Sequence, residues 1–161
     1  MSGGATGATD PVARFAAAAE NYCAWAEHAP ASKDGEIETA IGLLLDLMSR
    51  ALVLPAADPD AEDAQGRTQE ERKVVLRRFE TLGLHWYSTC DPSDVGSENV
   101  MTGDLCDDLT DIWADVREGL DLYRTGRIDT ASWHWSLTFR GHWSAHAAEA
   151  LRVLMSKLHA V

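Results

Sequence analysis

The sequence has no long apolar run. The longest strongly apolar stretch, around Leu43 to Leu45, is far too short to cross a bilayer, so a membrane-spanning helix is excluded. Positive charge is also scarce, with 14 Lys and Arg against 26 Asp and Glu and a formal net charge of −12. Polyanions and anionic lipid are held by clustered Lys and Arg, so neither nucleic acid nor a membrane surface is an expected partner. Cysteine is limited to Cys23, Cys90 and Cys106, an odd number at spacings that match no zinc or redox motif. Reduced thiols fit better than a disulfide framework. The opening residues also lack the basic and apolar regions of a secretory signal, and together these features predict a cytoplasmic protein. No glycine-rich phosphate cradle is present. No segment alternates as a half-buried strand would.

What remains is helical periodicity. A chain of 161 residues suits one domain with a core of its own. Residues 1–9 are small and glycine-rich and read as a disordered leader, with a single helical domain over 10–161. Asp10 and Pro11 make a good helix start, and Pro30 stops the helix that ends near His28. A second helix runs from about Asp34 to before Pro55, with Ile37, Ile41, Leu44, Met48, Ala51 and Leu52 as its apolar stripe. Residues 55–68 form an exposed loop. A third helix spans about Thr68 to Leu84. Residues 83–103 read as a wrapped loop pinned by Trp86 and Tyr87, with a turn at Asp91-Pro92-Ser93-Asp94.

The fourth helix covers about Asp104 to Thr125 and is closed by Gly126. Its first turns carry Asp104, Asp107, Asp108 and Asp111, which oppose the helix dipole favourably. The fifth, from about Asp129 to His159, is the longest. Short connections at 28–34 and 126–128 imply antiparallel neighbours. The expected fold is therefore all-α, an antiparallel bundle of about five helices with a long C-terminal helix.

On a wheel of about 100° per residue, Trp135, Phe139, His142, Trp143, His146, Ala150 and Val153 share one face of that last helix. Trp133, Leu137, Ala147, Leu151, Met155 and Leu158 share another, which predicts a helix buried on two sides. His142 and His146 thus point inward, one turn apart. A buried imidazole without a partner costs roughly 1–3 kcal/mol, so carboxylates of the fourth helix should meet them. Asp108 and Asp115 lie at the margin of its apolar stripe and are the first candidates, with Asp111 second. His85 could join from the preceding loop.

Three uses of this cluster compete. The favoured one is a structural polar network in a small domain that acts through a protein partner or as a homo-oligomer. The second is a small-molecule pocket walled by Trp135, Phe139 and Trp143 with the polar groups of His142, His146, Asp108, Asp111 and Asp115. The third, less favoured, is a single divalent metal held by His142, His146 and Asp108, conceivably in a hydrolase. Trp143, Ser144 and Ala145 separate the histidines, so the glutamate of an H-E-x-x-H helix is missing. No catalytic residue can be assigned.

Two segments carry a family resemblance. One is D-D-L-T-D-I-W-A-D-V-R-E-G-L-D-L-Y at residues 107–123, and the other is W-H-W-S-L-T-F-R-G-H-W-S-A-H-A-A-E-A-L-R at residues 133–152. Together they resemble an uncharacterised bacterial family, the domain of unknown function numbered five-zero-six-three. The resemblance extends weakly to Asp91-Pro92 and to the second helix, and covers most of the chain after residue 9. It implies an all-helical bundle of this length and carries over no activity. Cys90 departs from the pattern, standing where an aromatic residue is expected.

Overall fold

The computed structural model describes residues 10–60 and 65–158; the expected leader at residues 1–9 and the predicted helix end at His159 lie outside them. The elements follow in the order α1 (Pro11–Glu27), α2 (Glu36–Ala51), α3 (Gln69–Glu80), β1 (Trp86–Thr89), β2 (Met101–Asp104), α4 (Leu105–Arg124) and α5 (Ile128–Thr138). A π-helical turn (Phe139–Trp143) then leads directly into α6 (Ser144–Leu158). With α5, the π turn and α6 counted as one long C-terminal helix, the molecule is the expected five-helix, all-α bundle.

Helix starts follow local chemistry. The Asp10 carboxylate accepts the Val12 amide at 3.0 Å, ahead of Pro11 in the first turn. Thr68 and Glu71 form a reciprocal capping box on α3. Asp104 accepts the Cys106 amide at 2.9 Å and so starts α4. Gly126, at φ +85°, ends the turn after α4 in the left-handed region that glycine tolerates.

In the core, the Phe15 ring of α1 lies 4.7 Å from the Trp135 ring and 6.5 Å from that of Trp143. Trp135 also crosses directly over Gly119 of α4. A Cβ there would lie 2.1 Å from the indole nitrogen, which donates to the Val116 carbonyl at 3.0 Å. A buried ion pair that the sequence did not announce joins α3 to α2. Arg78 donates to Glu36 at 2.5 Å and to the Trp25 carbonyl at 3.3 Å, and its guanidinium stacks on Trp25 and Phe79.

Two expectations are corrected. Residues 83–103 are not only a loop: β1 and β2 pair antiparallel, Trp86 opposite Asp104 and Thr89 opposite Met101. Each strand has four residues, and Gly103 interrupts any apolar alternation, so no period-2 signal was available. Trp86, expected to pin the loop, is 73% exposed, and Tyr87 alone packs inward.

The last helix is also not buried on two sides. Leu137, Met155 and Leu158 are exposed, whereas Trp135, Phe139, Trp143, Ala147, Ala150, Val153 and Leu154 are buried. In a regular α-helix each four-residue step drifts by about 40°, which would carry 135, 139, 143 and 147 progressively around the axis. The wider π turn absorbs that drift and keeps all four facing the core.

Candidate functional site

The same π turn decides where the histidines go. His142 lies within it and His146 one turn later, and both rings face α4 along the rim of the bundle rather than its interior. The His142 side chain is 49% exposed, which corrects the expectation of a core position, whereas that of His146 is 27% exposed. The two rings meet edge to face, their centroids 4.9 Å apart.

On α4, Asp108, Asp111 and Asp115 recur at i, i+3 and i+7 and therefore share the face opposite these rings. His142 Nδ1 lies 2.7 Å from Asp115 Oδ2, and His146 Nδ1 lies 2.7 Å from Asp108 Oδ1. A carboxylate oxygen only accepts, so each contact assigns a proton to Nδ1 and leaves Nε2 as the free nitrogen of a neutral ring. His146 Nε2 faces Asp111 Oδ2 at 3.6 Å. The other Asp111 oxygen takes an ion pair from Arg72 of α3.

Asp108 is held in turn by the hairpin. Its second oxygen accepts the Tyr87 hydroxyl at 2.5 Å. Tyr87 reaches it by lying flat across its cross-strand partner Gly103, where a Cβ would stand 2.2 Å from the ring. The Arg152 guanidinium covers that ring at 5.6 Å. Burial, followed by the Asp108 hydrogen bond and charge, raises the Tyr87 pKa, so the phenol stays protonated and donates. The His146 pKa is raised chiefly by its Asp108 hydrogen bond, against an opposing burial effect, with further support from the Asp108, Asp111 and Asp107 charges. Asp107 beside them is shifted up by burial and then by the Asp111 charge.

Of the residues singled out in the sequence, five meet here: His142, His146, Asp108, Asp111 and Asp115. Trp135, Phe139 and Trp143 are buried in the core instead, and Trp135 and Trp143 pack against Phe15. A cavity of about 330 Å³ lies beside the site, between the hairpin and α6, and includes Thr89, Cys90, Glu149 and Arg152 in its lining. The three aromatic residues do not line it. His85 does not join the group either; its Nδ1 lies 3.5 Å from Cys106 Sγ. Burial first, and then the Asp104, Glu80 and Asp107 charges, push the Cys106 thiol up to about 12, which opposes a nucleophilic thiolate.

Arg72 and His134 were missed, and Tyr87 was expected only as a packing residue of the loop. Arg72 and Tyr87 sit in segments whose local pattern reads as a solvated helix face and a loop. His134 is buried on α5, its Nε2 3.1 Å from the Asp115 carbonyl oxygen, and only its place within the aromatic stretch of α5 hinted at it.

One ligand atom each from Asp111, His142 and His146 lies within 4.8 Å of the others. Metal–ligand bonds of roughly 2.0–2.2 Å place tetrahedral ligand atoms roughly 3.4 Å apart, so modest side-chain rotation closes the set. Asp108, the carboxylate expected beside the two histidines as a ligand, instead contacts His146 through Nδ1.

Fold and site together define a helical bundle with a histidine–aspartate cluster on its rim. The chain belongs to the family described as Domain of unknown function (DUF5063), whose model matches residues 7–160. Its structure is similar to the crystal structure of protein BF1032 from Bacteroides fragilis, with a TM-score of 0.79 and 17% identity over 95% of each chain. At that identity the likeness establishes the fold alone. No curated protein matches the sequence. Among the described residues, no helix is long and apolar enough to cross a membrane.

Proposed function

We propose that this protein binds one divalent transition-metal ion through Asp111, His142 and His146. One observation carries the reading: each of the three side chains has its own orienting partner. Asp115 holds His142, Asp108 holds His146 and is itself fixed by Tyr87, and Arg72 holds one oxygen of Asp111 while the other faces His146. Carboxylates on the far nitrogen of metal-binding histidines fix the tautomer and raise ligand basicity, and that is the pattern here.

Two imidazoles and one carboxylate suit Zn²⁺, Mn²⁺ or Fe²⁺, and three protein ligands leave a coordination position open. An ion so held supplies Lewis acidity and a water of lowered pKa, the chemistry of a hydrolase. The test is elemental analysis of protein purified without chelator, with melting curves recorded as each metal is added. At least one equivalent of metal in the wild type, with one equivalent and its share of the rise in melting temperature lost in His146→Ala, is the expected result. Metal content well below one equivalent with no shift for any ion rejects the reading.

A second reading, self-association through the hairpin, rests on Trp86, which is largely exposed at the start of β1. Sedimentation over a concentration range, with Trp86→Ser as control, separates the two readings, because Trp86 takes no part in the metal cluster.

A further inference from the structure

We propose that His85, Asp104 and Cys106 form a second cation site, with a thiolate among its ligands, for a thiophilic divalent ion such as Zn²⁺. It does not depend on the His142 centre. The three residues come together at the junction where the hairpin becomes α4. The β1–β2 pairing continues one step past the strands, with the Leu105 amide donating to the His85 carbonyl at 2.9 Å. That bond fixes His85 directly across from the start of α4. Asp104 ends β2 and caps α4 through the Cys106 amide, which places its carboxylate beside the first helical turn.

Cys106 sits in that turn, its sulfur 3.5 Å from His85 Nδ1 and 3.4 Å from the Leu84 carbonyl. One donor atom from each of the three residues lies within 4.8 Å of the others. Sulfur, imidazole nitrogen and carboxylate oxygen form a soft-to-borderline set, which favours Zn²⁺ over Mg²⁺ or Ca²⁺. Asp107 and Glu80 add negative potential at the sulfur without being needed as ligands. On binding, the Cys106 S–H bond breaks, its proton passes to solvent, and a sulfur–metal bond forms with no change of oxidation state.

Co²⁺ is the probe, because thiolate ligation gives a sulfur-to-cobalt charge-transfer band in the near ultraviolet. Titration of the full chain should develop this band to a plateau, which is reached at one equivalent in His146→Ala, where the other centre is disabled. The band should persist in Cys90→Ser and in His146→Ala, and disappear in Cys106→Ser. The His142 centre contains no sulfur, so failure of that centre leaves this signal intact, and the reverse also holds. His85→Ala keeps the buried thiol in place and should weaken the band. It serves as the deciding variant if circular dichroism shows that Cys106→Ser does not fold. Absence of a thiolate band at saturating Co²⁺, or a band lost in Cys90→Ser but kept in His85→Ala, overturns the proposal.

Discussion

Asp108 binds two elements with one carboxylate: Oδ1 faces His146 Nδ1 at 2.7 Å, and Oδ2 accepts the Tyr87 hydroxyl at 2.5 Å. The long C-terminal helix and the hairpin are thereby tied to the same turn of α4. The histidine's titration should report on that tie.

In metal-free protein, the raised His146 pKa makes stability depend on pH. The folded value lies above the unfolded one, so the protonated imidazole's contribution is complete below the ordinary value of 6.5. It is lost as pH rises through the folded value. Urea melts in chelator-containing buffer should therefore show stability falling with pH across that window. In His146→Gln this part of the profile should flatten. An unchanged slope in the variant would assign the dependence to other groups.

Under the proposed metal reading, Asp115→Asn and Tyr87→Phe should weaken the ion without removing a ligand. Loss of such orienting partners typically costs about 10–100-fold in metal affinity. Calorimetric titration with Zn²⁺ measures it. Equal affinities in wild type and both variants would contradict the orienting roles.

Gly119→Ala tests the closest approach in the core. Its methyl group would overlap the Trp135 indole, which has no room to retreat between Phe15 and Tyr123. Overpacking of this kind costs about 1–3 kcal/mol, so the midpoint of denaturant unfolding should fall accordingly.

Glu36→Ala strands the Arg78 charge in a buried setting and should destabilise by about 3–5 kcal/mol. Glu36→Leu combined with Arg78→Met removes both charges and should cost markedly less than the sum of the single changes. A double-mutant cycle by chemical denaturation reads the difference.

Several parts of this molecule were legible in the sequence. Asp10-Pro11 and Gly126 mark element ends because capping and positive φ are local demands of the backbone. The placement of Asp108 and Asp115 opposite the histidines followed from helix geometry, since residues that share a face of a regular helix can be identified by counting. Counting failed where the helix was not regular. The π turn at Phe139–Trp143 moved His142 to the rim, and no residue in that turn announces an extra residue per turn.

The sequence by itself therefore determined the helical bundle and the pairing of two histidines with carboxylates of α4, consequences of period and capping within single segments. Only the tertiary structure decided what surrounds them: Arg72 on Asp111, Tyr87 folded over Gly103 onto Asp108, and His85 brought against Cys106. Those contacts join residues 16 to 39 positions apart. Their geometry is set by how α3, the hairpin and α4 pack, and no local periodicity encodes that.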